Sequence, residues 1–146
     1  RPREQWIMKP TGGRVVVMGN RDRDWLDQAA HDLGHARNAS AAGDFDWACF
    51  TAHQAAEKAV KALCLHLGGE AWGHSVGRIL KDLQEQRQVP AGLVDASLRL
   101  DKHYIPTRSP KGFDSGSPHA YYTREEAERA IDAARHIFDF CHQSFR

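Results

Sequence analysis

One segment constrains the fold more than any other. From Asp44 to Gly69 there is no proline, and Cys49, Ala52, Ala56, Val60, Leu63 and Leu67 recur at the three- and four-residue spacing of an amphipathic helix. Asp44 is placed to cap its start, and Gly68-Gly69 to end it. About 24 residues at 1.5 Å each make a rod about 36 Å long. A rod of that length cannot bury its stripe against itself, so the rest of the chain must supply helices that lie along it.

The flanking sequence supplies them. Leu26, Ala29, Ala30, Leu33 and Ala36 form a stripe that Asn20 or Asp22 can cap and Gly43 can terminate. The connection at Gly43 is so short that the first two helices must form an antiparallel hairpin. Their inward alanines let the two axes approach closely. A third helix is expected from a Ser75 cap, with Val76, Ile79, Leu80 and Leu83 inward and an interruption at Pro90. It resumes from Ala91 through Tyr104 with Leu93, Ala96 and Leu100. Residues 105–122 hold Pro106, Pro110, Pro118, Gly112 and Gly116, a long irregular loop of the kind that carries function or stays disordered. The last helix opens on Thr123-Arg124-Glu125-Glu126, the pattern of a capping box, and turns Ala127, Ala130, Ile131, Ala134, Phe138 and Cys141 inward. The fold class is therefore all-α: an up-and-down bundle of four to five helices with a long loop before the last one.

Composition sets the remaining bounds. The 146 residues suit one domain with a core large enough to fold without disulfides or metal. No run of apolar residues is long enough to span a membrane, and mean hydropathy is -0.61. The net charge of +1 excludes nothing about nucleic acid, although nine histidines make the chain more basic near pH 6.5. Three cysteines with no CxxC spacing exclude a disulfide framework or zinc knuckle and point to a reducing cytoplasm. Residues 1–21 read as a basic tail, disordered or contributing a short edge strand at residues 14–18, and residues 22–146 as the bundle. The chain opens on Arg1, which makes Met8 or Met18 a candidate start.

Arg108, Lys111, Lys102 and Arg124 surround the long loop, beside the positive end of the last helix, and would suit a phosphate. Tyr104, Phe113, Tyr121 and Tyr122 are aromatic faces on which a base could stack. The alternative is a solvated loop in which Arg108 braces the bundle against Asp101 or Asp114. Trp25, Trp47 and Phe50 lie off the inward stripes, as does Phe45, and suit a homodimer interface; a broader core is the other reading. His31 and His35 share a helix face, but further inward carboxylates are missing, so no metal is expected. Glu57 and Lys61 read as a helix-stabilising pair. Cys64 and Cys141 read as buried small hydrophobes.

The stretch of residues 50–63, with its Ala56-Glu57-Lys58 and Lys61-Ala62 steps, resembles the second helix of the HEPN domain, the nucleotide-binding family of higher eukaryotes and prokaryotes. The resemblance continues through His74-Ser75, Leu80-Lys81-Asp82-Leu83, Tyr104-Ile105-Pro106-Thr107-Arg108-Ser109-Pro110 and the Tyr122-Thr123 to Ala127 start of the last helix. The family's usual tyrosine after the arginine is Ser109 here. The resemblance implies a helical dimer that binds a nucleotide or RNA phosphate, without cofactor, beside a minimal nucleotidyltransferase in a toxin–antitoxin-like system. Ribonuclease members carry an arginine and, four to six residues on, a histidine near the start of the last helix. Arg129 and His136 match that spacing but lie well inside the helix, so catalysis is not expected. A metal-independent ribonuclease using Arg108 or Arg129 with His119 or His136 is the enzymatic alternative, and a helical interaction module without ligand chemistry is a third reading.

Overall fold

A computed structural model describes residues 6–8, 21–104, 111 and 113–145. Helix α1 spans Asp22–Ala41, α2 Phe45–His66, α3 Val76–Leu83, α4 Leu93–Asp101 and α5 Arg124–Gln143. Two three-residue strands, β1 (Trp6–Met8) and β2 (Gly69–Ala71), pair antiparallel with Ile7 opposite Glu70. The edge strand expected at residues 14–18 lies outside the described residues, and the N-terminal pairing falls at β1. No helix among the described residues is long and apolar enough to cross a membrane.

The spine expected from Asp44 onward is α2, and the other four helices pack against it. Its burial is broader than the single stripe suggested. Ala48, Ala55, Ala59 and Ala62 are as fully buried as Ala52 and Ala56, so small side chains on several faces let neighbours approach closely. In α1 the inward positions are Leu26, Ala29, Leu33, Ala36 and Ala39, whereas Ala30 is exposed because α5 covers only one flank of the helix.

The hairpin between α1 and α2 closes by backbone chemistry. Gly43 adopts φ +85°, its N–H donates to Ser40 O (3.0 Å), and the Asp44 N–H reaches Ala39 O (2.9 Å). These two bonds go to carbonyls in the last turn of α1, in a geometry that favours glycine. Polar side-chain contacts fix the antiparallel register. His66 Nδ1 lies 3.0 Å from Asp22 Oδ2, and Lys58 Nζ donates to Asp32 Oδ2 at 2.6 Å.

Helix α3 ends at Leu83, well before Pro90, because the chain turns through residues 84–87. Helix α4 then starts after Gly92 (φ +84°) and gives way to a turn at residues 102–104. At the last helix the capping box forms as expected: Glu126 N donates to Thr123 Oγ1 (3.2 Å), and Thr123 N donates to Glu126 Oε1 (3.1 Å).

Helices α3 and α4 meet at Gly77. A β-carbon there would stand 2.4 Å from Leu98 Cδ2 and 3.2 Å from the Leu98 backbone nitrogen. The side chain can rotate away but the backbone cannot. Gly77→Ala is therefore expected to destabilise the fold by about 1–3 kcal/mol through overpacking, despite the better helix propensity of alanine. Urea denaturation checks this, and an unchanged or higher midpoint would show that the α3–α4 contact is not this close.

Candidate functional site

Ser75 starts α3, and the three N–H groups that follow it have no partner within the helix. Two of them find one residue. Val76 N donates to Asp101 Oδ1 (2.8 Å) and Gly77 N to Asp101 Oδ2 (3.0 Å), while Arg78 N donates to Ser75 Oγ (3.2 Å). The Ser75 hydroxyl in turn donates to Asp101 Oδ2 at 2.9 Å. From α2, the fully buried His53 donates through Nε2 to Asp101 Oδ1, also at 2.9 Å. A carboxylate only accepts, so Nε2 carries a proton, and Nδ1 faces the Gln54 amide at 3.5 Å. The last residue of α4 thus ties α2, the start of α3 and its own helix together through four hydrogen bonds.

One turn further along α2, the carboxylate of Glu57 forms a second cluster. Lys61 Nζ donates to Oε2 (2.9 Å), and His74 Nδ1 lies 3.2 Å from both oxygens. The Glu57–Lys61 pair is present as the spacing suggested, but it is not a surface pair: the side chains are only 8% and 15% exposed. The energy scale for breaking it is accordingly that of a buried pair rather than a solvated one.

Tyr104 bridges the two clusters. Its ring stacks on His74 (4.5 Å between centroids) and leans on His53 (5.4 Å). Phe50 lies 6.2 Å from Tyr104, and the half-exposed Trp47 packs edge-on against Phe50 at 5.9 Å. Trp47, Phe50, Tyr104 and His74 therefore form one continuous aromatic face. Trp25 is not part of it. The antiparallel register places it about 25 Å away, at the other end of the hairpin. Phe45 also leaves the surplus set, since the Arg124 guanidinium covers its ring at 5.0 Å.

Of the residues assigned to a phosphate, Tyr104, Lys102, Lys111 and Arg124 are described, and Arg108 lies outside the described residues. Lys102 is exposed and follows α4 directly, and Lys111 is exposed. Arg124 turns away, to Phe45 and to a groove between α1 and α5 that it shares with Arg37 and Arg135. The start of α5 is also less open to an anion than expected. The carboxylate of Glu126 already caps it, and Glu125 adds a second negative charge in the first turn. Among the other aromatics, Phe113 stacks on Tyr121 (4.2 Å), and Tyr122 packs edge-on against His103 (5.5 Å). His31 and His35 gain no further ligands, for Asp32 is engaged by Lys58 and Gln28. Among the described residues no three His, Cys, Asp or Glu side chains gather as a metal would require.

Arg129 and His136 do share a groove, lying between α4 and α5 with Arg99 and His103. Seven residues of helix hold them about 10 Å apart along the axis. Arg129 is drawn to Glu125 (2.6 Å), and His136 Nδ1 to the Asp132 carbonyl (2.8 Å). His119 lies in the 3-10 turn Pro118–Ala120, outside that groove. Cys49 and Cys141 are inert at neutral pH: burial, with Glu126 and Asp46 adding to it, pushes the Cys49 thiol up to about 12, and burial raises Cys141 further. Burial likewise raises the Tyr122 hydroxyl to about 12.

The fold and this junction define a five-helix bundle whose third and fourth helices are docked on the second by a shared carboxylate. The chain belongs to the HEPN domain family, whose model matches residues 23–144. It is similar to TT1696 from Thermus thermophilus, with 50% identity and a TM-score of 0.83, over 86% of this chain and 98% of that one. It is also similar to ST0689, an archaeal HEPN homologue (36% identity, TM-score 0.74, 86% and 98% of the two chains). A HEPN domain protein of Thermotoga maritima, TM0613, is 40% identical with a TM-score of 0.67, over 82% of this chain and 95% of that one. A comparison with curated proteins gives no match.

The half-buried His103 gives the fold a pH dependence. Burial lowers the pKa of His103, the His53 ring adds to the effect, and Glu126 opposes it. The unfolded chain binds a proton at this histidine near pH 6.5, while the folded chain still excludes it. Between about pH 6.5 and the lowered folded value the unfolded state holds more protons, so stability falls as pH falls. His103→Gln should reduce the slope of unfolding free energy against pH in that window. A slope identical to wild type would remove His103 as its source.

Proposed function

We propose that this HEPN protein binds a nucleotide or an RNA phosphate at the end of α4 and acts in the cytoplasm beside a nucleotidyltransferase partner, as a toxin–antitoxin-like pair. The observation that carries the reading is the Tyr104 ring, held by stacking on His74 directly before the segment that bears Arg108. A base needs a fixed aromatic face, and the two clusters below Tyr104 fix it. Phosphate needs cations close to that face. Lys102 is exposed at the same helix end, and Arg108 and Lys111 follow within a few residues. Arginine supplies a planar two-pronged donor for phosphate oxygens, and the lysines add point charges.

The face from Trp47 through Phe50 to Tyr104 also suits a two-fold interface. In that arrangement each copy would offer its aromatic ladder to the other and enclose the ligand between them. Trp25, at the far end of the hairpin, would lie outside such a contact. Ribonuclease chemistry is less well supported, because Arg129 and His136 are held to different partners.

Calorimetric titration with a nucleotide panel tests the binding. Arg108→Ala should weaken binding about tenfold or more, as loss of a charge-assisted bond does, and Tyr104→Leu should weaken it while leaving the melting temperature close to that of wild type. Wild-type affinity in both variants would reject the site. Single-stranded RNA incubated with chelator should stay intact, and cleavage lost on His136→Ala would move the function to the α4–α5 groove.

A further inference from the structure

The groove between α4 and α5 has a volume of about 620 Å³, within the range of small-molecule sites. It lies apart from the Tyr104 face. Leu93, Ala96 and Leu100 of α4 and Ala130 and Ala133 of α5 line it, so its floor is apolar and low. Low side chains between two helices leave room for a flat body.

The charges at its rim are unequal in a specific way. Both carboxylates that line the groove are engaged: Glu126 closes the capping box, and Asp132 accepts from Arg135 at 2.9 Å. Arg129 is paired outward with Glu125. The Arg99 guanidinium, in contrast, makes no hydrogen bond or ion pair among the described residues, and its position on α4 places it beside Ala96 and His103 on the groove side. The site therefore combines an apolar floor with, at one edge, a two-pronged cation that has no partner among the described residues.

We propose that this groove binds a small aryl carboxylate: a flat aromatic body lying on the alanine and leucine floor, with its acid group paired to Arg99. The guanidinium meets both carboxylate oxygens, and the ring replaces water over the half-buried Ala96 and Ala133. The ring gives an affinity that a neutral analogue would share, and the acid gives the selection between the two.

Titration calorimetry with 2-naphthoate, and with 2-naphthamide as its uncharged counterpart, separates the two contributions in the intact chain. Wild type should bind naphthoate saturably and about tenfold more tightly than the amide. Arg99→Gln should remove that preference, bringing naphthoate to the affinity of the amide. Ala133→Leu fills the groove from a half-buried position and should abolish binding of both, with circular dichroism and melting temperature reporting that the bundle is intact. Tyr104→Leu should bind naphthoate like wild type, which keeps the result independent of the nucleotide site. The proposal is overturned if wild type gives no saturable heat, if acid and amide bind equally, or if Arg99→Gln retains the preference. Unchanged binding in a folded Ala133→Leu variant would place the ligand elsewhere and overturn it as well.

Discussion

Four hydrogen bonds converge on the carboxylate of Asp101, and the arrangement of the bundle's short helices depends on them. Helix α3 has eight residues and α4 nine, too few for either to be stable alone in water. Asp101 answers the need of both at once. Its oxygens take the first two N–H groups of α3, where a helix favours negative charge, and the Ser75 hydroxyl and His53 ring complete its coordination. Each charge-assisted bond is worth about 1.5–3 kcal/mol against an unsatisfied alternative, so the loss of the carboxylate would expose several costs together. One of those costs is a fully buried imidazole without its acceptor.

The functional consequence is positional. Asp101 ends α4, and Tyr104 comes three residues later, so fixing the first fixes where the second begins. Glu57 supplies the other constraint, holding His74 under the Tyr104 ring while Lys61 holds Glu57. An aromatic face set in this way loses little freedom when a flat ligand joins it, the condition under which stacking converts into affinity. The α4–α5 groove uses the other side of the same helix, which explains how a nine-residue element can border two distinct surfaces.

The long helices are legible in the sequence because their signals are local: the stripe of α2, the Gly43 turn and the capping box at Thr123 each lie within a few residues. Ser75 is legible as a cap for the same reason. Asp101 is not, since its partners lie 24 to 48 residues away and periodicity carries no information about which helix end meets which. Glu57 reads as half of a helix-stabilising pair because Lys61 follows at the right spacing. Its burial follows from the breadth of the α2 core, which the alanines at 48, 55, 59 and 62 signal by lying off the main stripe. The surplus aromatics show the same limit. Trp25, Trp47 and Phe50 can be recognised as off-stripe, but only the antiparallel register separates Trp25 from the other two. Arg108 stands in the resembled segment and lies outside the described residues, so its role rests on sequence alone.

Amide hydrogen exchange at Val76 and Gly77 tests the central claim most directly. Amides in the first turn of a helix have no partner within that helix and ordinarily exchange fast. If Asp101 accepts both, they should be protected in the wild-type chain to a degree comparable with the core of α2, and Asp101→Asn should release them while α1 and α2 stay protected. Fast exchange at both amides in the wild type would contradict the account, and so would protection that survives the loss of the carboxylate.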